Sequence, residues 1–341
     1  MKHLLLTLLW VGYFFVSPAQ TDSLSYYLRQ GEDAASRGQT LVAYNSYRSA
    51  IAQDGRNLTA LRGMANAANE LRYYAIARET YKKILVENYN DTASIRNLMV
   101  LHFNTHQWPE AVDMAKRAKA LGLGDHQNWI IAKSYFEMGE YRSTLEYLDK
   151  AFKEDSSLAE MHYVMARCQL EMNNYVKAAA YYNSALQRDP SKAQWMFELG
   201  MTNLAVPDPA ASVKWLEAAL AKGYPLSSEM KDNMVTAYTS AGMYDKAVGM
   251  VKELLKESPT DIDRQFLLGE CQLHAKQYVD AIKTYNGILQ QDPKNARSLY
   301  MSGVATIQSG EKAKGEALCE KAITMDSRLA KMRQKYFNQV D

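Results

Sequence analysis

The segment Ala159–Lys192, AEMHYVMARCQLEMNNYVKAAAYYNSALQRDPSK, decides the fold because its pattern of small and aromatic residues returns along the whole chain. Within it, Ala178 is followed after four residues by Tyr182 and after seven by another alanine. These spacings place the side chains on one stripe of an α-helix. Ala166 lies twelve residues upstream in a second predicted helix, and Asn173-Asn174 predicts a turn between the two.

The small residue at the Ala178 position recurs at nearly constant intervals, with gaps of 34, 34, 33, 34, 33, 36, 34 and 34 residues. The nine positions are Ala43, Ala77, Ala111, Thr144, Ala178, Ala211, Ala247, Ala281 and Gly315. A fixed period of this length is the sign of a repeat array, in which each helix pair buries its apolar face only by stacking on its neighbours. Such arrays usually act as binding surfaces.

This pattern resembles the tetratricopeptide repeat, a 34-residue unit with small residues at positions 8, 20 and 27, an aromatic residue at position 24 and proline at position 32. Ala166, Ala178, Tyr182, Ala185 and Pro190 match that pattern, and the resemblance extends over residues 24–329. It implies an all-α, right-handed superhelical solenoid of about nine helix-turn-helix repeats with a C-terminal capping helix.

We divide the chain into a signal peptide at residues 1–19, a repeat array at residues 20–327 and a capping helix at residues 328–341. In the sixth unit the turn before Ala211 is one residue short, with Asp208 as the N-cap and Pro209 at the first helical position. The following gap widens across residues 223–228, around Pro225. This widening is either a surface insertion or a break in the superhelical pitch.

The signal peptide is predicted from the N-terminus, where Lys2 and His3 precede an apolar run over residues 4–16 and then Ser17-Pro18-Ala19. The run is shorter than the roughly 20 residues that a membrane-spanning helix needs. We therefore expect cleavage after Ala19, no stable membrane insertion of the mature chain, and an exported protein in the periplasm or outside the cell. Cys168, Cys271 and Cys319 are expected to be buried free thiols, with a Cys271–Cys319 bridge as the alternative.

Composition and motifs argue against several classes of function. Lys and Arg number 40 against 38 Asp and Glu, with both signs scattered, so the sequence does not favour nucleic acid or an anionic membrane as partner. We find no nucleophile-elbow, phosphate-loop or metalloprotease motif and predict no enzymatic activity and no cofactor. His102 and His106 have metal-ligand spacing, but His102 occupies a packing position and His106 a turn, so no metal site is predicted.

The resemblance implies a concave groove lined by the first helix of each pair. The groove positions carry Arg62, Asn66, Arg96, Asn97, Phe103, Trp129, Lys133, Phe136, Tyr163, Arg167, Phe197 and Met201. Aromatic residues with interspersed cations suit an extended peptide with apolar and acidic side chains. The alternative for Trp129 and Phe136 is packing between repeats. A carboxylate clamp of the co-chaperone type is incomplete, because His126 and Ile130 stand where two cations are needed.

Two functions remain open from the sequence. The first is a non-enzymatic adaptor or scaffold of the cell envelope that binds a peptide or a protein partner in its groove. The alternative is a permanent structural subunit of an envelope secretion or assembly machine, held through its convex face or its ends.

Overall fold

The computed structural model describes residues 18–124, 126–206 and 208–332, and these form two compact units that divide between Ser156 and Ser157. The first unit contains four helix pairs. Its helices are α1 (Pro18–Ser36), α2 (Thr40–Gln53), α3 (Leu58–Glu70), α4 (Tyr74–Glu87), α5 (Thr92–Asn104), α6 (Trp108–Ala120), α7 (Gln127–Glu137) and α8 (Tyr141–Glu154).

The second unit contains five helix pairs and a short 3-10 helix, Ser327–Met332. Its α-helices are α9 (Ala159–Glu171), α10 (Tyr175–Arg188), α11 (Ala193–Ala205), α12 (Pro209–Ala221), α13 (Ser228–Ser240), α14 (Tyr244–Glu257), α15 (Ile262–His274), α16 (Tyr278–Gln291), α17 (Ala296–Gln308) and α18 (Lys312–Met325). The described residues thus contain helices and no strand, which confirms the all-α class and the repeated helix pair.

The predicted signal peptide and the predicted capping helix both extend beyond the described residues. Of the predicted signal peptide, residues 1–17 lie outside them. Of the predicted capping helix, residues 333–341 lie outside them as well. The part that is described belongs to the 3-10 helix, whose Leu329 is buried in the same apolar cluster as the last two helix pairs.

In the first, sixth and eighth pairs, a glycine on the first helix faces a large residue on the second. A Cβ atom built at Gly31 would lie 2.7 Å from Cε1 of Tyr47, and one built at Gly200 would lie 2.7 Å from Cγ of Leu216. The missing side chain therefore sets the distance between the two helices. Apolar side chains from consecutive pairs interlock over this contact and form several buried clusters along each unit.

The structure corrects the predicted register of the sixth pair. Ser212, not Ala211, is the fully buried small residue there, and Leu216 and Ala219 are buried at the next positions of the stripe. The spacing from Ala178 to Ser212 is therefore 34 residues, and the turn before α12 is not short. The predicted cap is confirmed, since the Asp208 side chain accepts a hydrogen bond from the Ala211 amide at 3.0 Å and Pro209 begins the helix.

In eight of the nine pairs, the turn contains a residue with left-handed backbone five positions before the buried small residue. The corresponding residue of the sixth pair, Pro207, lies outside the described residues. Gly242 occupies this position with φ +69°, where the absence of a Cβ makes the conformation inexpensive. Other pairs place a side chain there: Arg72, His106, Asn173 and Lys276 have φ between 57° and 60°. The sequence predicted a turn at Asn173 but not at Arg72 or Lys276, because the residue type at this position varies.

The three cysteines are buried, as predicted, and all three are free thiols in the structure. Burial raises the pKa of the Cys168 thiol to about 12 and that of Cys271 to about 11. These values keep both thiols protonated and unreactive at neutral pH.

Candidate functional site

In the second unit, the predicted groove residues of α9 and α11 lie side by side. The Tyr163 ring stacks on that of Trp195, with centroids 4.9 Å apart and an angle of 12° between the planes. The Phe197 ring stacks in the same way on Tyr224, which comes from the loop after α12, at 4.4 Å and 11°. Aromatic pairs of this kind stabilise by about 0.5–1.5 kcal/mol beyond the burial of their area.

A hydrogen-bonded network centred on Glu198 links these two helices to α10. Its carboxylate accepts the Tyr182 hydroxyl at 2.7 Å, the Tyr163 hydroxyl at 3.3 Å and the Gln194 amide at 2.8 Å. The Arg167 guanidinium lies 3.7 Å from the same carboxylate and donates to the Tyr163 oxygen at 3.2 Å. Glu198 was not among the predicted site residues, although its position next to Phe197 is a groove position of the repeat.

The electrostatics of this network favour its charged, hydrogen-bonded form. Burial and the Glu198 charge raise the pKa of both Tyr163 and Tyr182, so the two hydroxyls stay protonated as donors. Burial alone would lower the pKa of Arg167, but Tyr163 and Glu198 outweigh it and raise that pKa. The network therefore consists of the ion pair between Arg167 and Glu198 and of two tyrosine hydroxyls that donate to Glu198.

Next to the network, α11 presents an apolar stripe made of Phe197, Met201 and Leu204, each of them half-buried. We call these three residues, with Tyr163 and Arg167 of α9, the α9/α11 face. One side of the stripe packs against the apolar cluster that α12, α13 and α14 form, and the other side remains exposed. The equivalent positions of α13 carry polar residues, namely Asp232, Thr236 and Thr239.

In the first unit, the predicted groove residues of α3 and α5 contact the protein itself. Arg62 pairs with Asp91, whose carboxylate also accepts the Ser94 amide at 2.9 Å and caps α5. Arg96 donates to the Leu123 carbonyl at 2.9 Å. Each arginine thus joins its own first helix to the turn that precedes the next one.

Asn66 and Asn97 both contact the hydroxyl of Tyr81. This hydroxyl donates to Oδ1 of Asn66 at 2.7 Å. Burial raises the pKa of Tyr81 to about 12, and the hydrogen bond with Asn97 opposes that rise. The three residues of the incomplete clamp, Arg62, Asn66 and Asn97, therefore all interact within the first unit.

The remaining predicted residues of the first unit differ in exposure. Trp129 is only 8% exposed, whereas Phe103 and Phe136 are half-buried beside Trp108 and Tyr141, with ring centroids 5.8 Å and 6.2 Å apart. Lys133 lies 2.8 Å from Glu137 and 5.2 Å from the centre of the Phe136 ring. All four predicted cations of the two units therefore have partners inside the protein.

The two histidines with metal-ligand spacing are separated by their environments. His102 is buried and lies 2.6 Å from the Gln107 side chain, whereas His106 is exposed in the turn beside the Trp108 ring. Among the described residues, no cluster of three or more His, Cys, Asp or Glu side chains could hold a metal ion. None of the helices in this part of the chain combines the length and the apolar character needed to cross a bilayer.

Comparisons with known proteins agree with the helix pairs. Two tetratricopeptide repeat family models match residues 163–227 and 238–302, and the model of the anaphase-promoting complex (cyclosome) subunit 3 matches residues 104–185. No curated protein sequence matches the chain. The family matches and the repeated helix pairs together support a tetratricopeptide repeat protein.

The chain is also similar to several solved structures at low sequence identity. YrrB, a tetratricopeptide repeat protein described with an unusual peptide-binding site, is 22% identical, with 55% of this chain and 97% of that one covered and a TM-score of 0.42. The pilF protein of Pseudomonas aeruginosa is 19% identical over 63% and 97% of the two chains, with a TM-score of 0.45. The tetratricopeptide repeat domain of P58(IPK) is 16% identical over 93% and 98%, with a TM-score of 0.30.

Proposed function

We propose that this tetratricopeptide repeat protein is a non-enzymatic interaction scaffold that binds an apolar segment of a partner protein on the α9/α11 face. The observation that carries the proposal is the half-buried stripe of Phe197, Met201 and Leu204. These three apolar side chains remain partly exposed to solvent. The equivalent positions of the neighbouring first helix, α13, have polar residues. Partly exposed apolar surface beside fixed polar groups is typical of a protein-binding surface.

The Glu198 network supports a ligand with one acidic group next to its apolar residue. Arg167 keeps 33% of its side chain exposed although it lies 3.7 Å from Glu198 and 3.9 Å from Glu171, so an acidic group of the ligand can still reach the guanidinium. Because Tyr163 and Glu198 hold the guanidinium in place, binding costs little side-chain entropy. Aromatic and arginine side chains in such a setting are frequent energetic centres of interfaces.

Site-specific crosslinking in the native host tests this proposal. A photoreactive residue at position 201 should crosslink one partner, and the same residue at the equivalent exposed position 236 of α13 should not. Met201→Glu should abolish the crosslink from position 197, whereas Thr236→Glu, the matched control, should leave it unchanged. Recovery of the same partner from the Met201→Glu protein would contradict the proposal.

We also propose that the protein is exported to the cell envelope, on the strength of the basic start, the apolar run and the small residues that end at Ala19. Mass spectrometry of the protein from its native host should find a mature N-terminus at Gln20 in an extracytoplasmic fraction. Recovery of the uncleaved protein, with Met1 still present, from the cytoplasmic fraction would contradict export and would leave the binding proposal unaffected.

One observation favours the alternative of a permanent structural subunit. The second helices α10 and α16 expose Val176 and Val279 at the same repeat position. A partner held along this surface would stay bound to the Met201→Glu protein and be lost from a Val176→Lys/Val279→Lys protein. The two variants therefore distinguish the two functions.

A further inference from the structure

We propose that a cleft between the second helices α4 and α6 binds a tryptophan side chain from an uncharged, apolar segment of a partner protein, with the indole N–H donating to Nε2 of His102. We call this space the α4/α6 cleft. It lies in the first unit and does not depend on the function proposed for the α9/α11 face.

The α4/α6 cleft has a volume of about 750 Å³ and a largely aliphatic lining that includes Leu85, Leu98 and Met114. A concave apolar space of this size holds a large side chain and the backbone next to it. At one edge, Val86 is 82% exposed and Tyr89 is 70% exposed. Because the apolar surface continues onto these two residues, a polypeptide segment covers it more fully than a single small molecule would.

The charged side chains that line the cleft balance one another. Lys82 and Arg117 contribute two positive charges, and Glu110 and Asp113 contribute two negative charges. A segment with a large net charge of either sign would therefore meet repulsion as well as attraction, so the cleft favours an uncharged segment.

A buried polar group also lines the cleft, namely the imidazole of His102 on α5, which is only 3% exposed. Its Nδ1 lies 2.6 Å from Oε1 of Gln107. Because that oxygen can only accept, Nδ1 carries the proton and Nε2 is an acceptor. Nε2 keeps accessible surface and has no hydrogen-bond partner in the described part of the chain.

The surroundings of His102 favour this neutral form. Burial lowers the pKa of the imidazole, and the positive charges of Arg78 and Lys82 on α4 act in the same direction. The Gln107 hydrogen bond and the Glu110 charge on α6 oppose that change without reversing it. At neutral pH the cleft therefore contains one free acceptor.

The corresponding cleft between α14 and α16 indicates what stacking alone requires. There, Gln272 occupies the repeat position of His102, and Thr284 occupies that of Met114. The Thr284 hydroxyl donates to Oε1 of Gln272 at 2.8 Å, so this acceptor is satisfied within the protein, and the cleft has a volume of only about 430 Å³. Stacking of the second helices therefore requires neither the larger space nor a free acceptor.

Tryptophan matches one free acceptor in an apolar space. Its indole N–H is a donor only, whereas a tyrosine hydroxyl also has lone pairs that aliphatic side chains cannot satisfy. A ring of the same shape without the N–H would exclude water from Nε2 of His102 and supply no donor in its place. The cleft should therefore distinguish the two rings.

The test uses the full chain and two fluorescein-labelled peptides that share one uncharged sequence of leucines and serines with blocked ends. The first peptide has a central tryptophan. In the second, benzothienylalanine replaces it, so that a sulfur atom stands in place of the indole N–H. Fluorescence anisotropy should show that the wild type binds the tryptophan peptide about tenfold more tightly, because one hydrogen bond in a desolvated site has an effect of this size.

His102→Leu should bind the tryptophan peptide about tenfold more weakly and should no longer distinguish the two peptides. Met114→Thr should also reduce the preference, because it places a hydroxyl at the position from which Thr284 donates to Gln272. This second variant keeps the test decisive if His102→Leu does not fold, and thermal melts verify the folding of each. Met201→Glu, the control for the α9/α11 face, should keep both affinities within about twofold of the wild type.

The proposal is overturned if the wild type binds the two peptides equally, or if neither binds with a dissociation constant below about 1 mM. It is also overturned if folded His102→Leu and Met114→Thr proteins keep the wild-type preference. Equally tight binding of N-acetyltryptophanamide would overturn it by indicating a small aromatic ligand. Loss of wild-type self-association in the His102→Leu protein, measured by sedimentation, would overturn it by indicating a second copy of the chain.

Discussion

Gly269 of α15 lies directly against the buried ring of Tyr285 of α16: a Cβ atom built at Gly269 would be 2.6 Å from Cζ of that tyrosine. The glycine and the tyrosine belong to two columns of the repeat, and their contact sets the spacing of the eighth helix pair. Neither helix can move away without opening the cluster formed by Tyr285, Ile288 and Tyr300.

Gly269→Ala should therefore destabilise the protein by about 1–3 kcal/mol, because the added methyl group forces a buried ring to move. Urea unfolding followed by circular dichroism measures the change. Gly249→Ala is the matched control, since Gly249 lies in the exposed part of α14 with no atom within 4 Å of the new Cβ. That change should stabilise by about 0.5–1 kcal/mol through helix propensity, and equal effects of the two variants would contradict the close-packing argument.

Lys276→Gly should stabilise the second unit by up to about 1 kcal/mol, because it removes a side chain from a residue with φ +60°. The same unfolding measurement applies. Lys252→Gly, in the interior of α14, should destabilise by about 1 kcal/mol, as glycine does in a regular helix. A loss of stability in both variants would show that the left-handed turn carries no strain.

Glu198→Ala should cost about 1–3 kcal/mol of stability, because it leaves the buried Tyr182 hydroxyl without its acceptor. Glu198→Gln keeps an acceptor oxygen and should cost less. Adding Tyr182→Phe to Glu198→Ala should cost little more, since the orphaned hydroxyl is then absent. Additive losses in the double variant would argue that the network does not couple these two residues.

His102 should make stability depend on pH just below neutrality. Burial lowers its pKa from the usual 6.5, with the Gln107 hydrogen bond opposing, so the native state holds the imidazole neutral. As pH falls below 6.5, the unfolded chain binds a proton before the folded one does, and stability decreases.

The urea midpoint should therefore be lower at about pH 5.5 than at about pH 7.5. His102→Gln, which places the residue found at the equivalent position Gln272, should reduce this difference. An unchanged pH dependence in that variant would show that His102 is not the group responsible.

The three cysteines should resist iodoacetamide in the native protein at about pH 8 and react fully in denaturant. The reason is that each thiol is buried, and burial raises the pKa of Cys168 and Cys271 well above that pH. Peptide mass spectrometry gives the labelled fraction at each site. Rapid native labelling of Cys168 would contradict the burial of α9 against its neighbours.

The sequence by itself determined the features that repeat or are local. The 34-residue period predicted the helix pairs, because small residues that recur on a helical stripe must pack at every turn of the array. Asp208 and Pro209 predicted the start of α12, since capping depends only on adjacent backbone amides. The burial of all three cysteines also followed from their place in a helical array without need of disulfides.

Only the tertiary structure decided which small residue is buried and which partner a charged side chain has, because both depend on neighbouring helices. Ala211 and Ser212 are both small, so only the packing of α12 against its neighbours selects Ser212 as the buried residue. Arg62 and Arg96 read as groove cations in the sequence, yet their acceptors come from the turns that precede α5 and α7. Charge and residue type follow from the sequence. The distance from a side chain to its partner is set only when one helix pair stacks on the next.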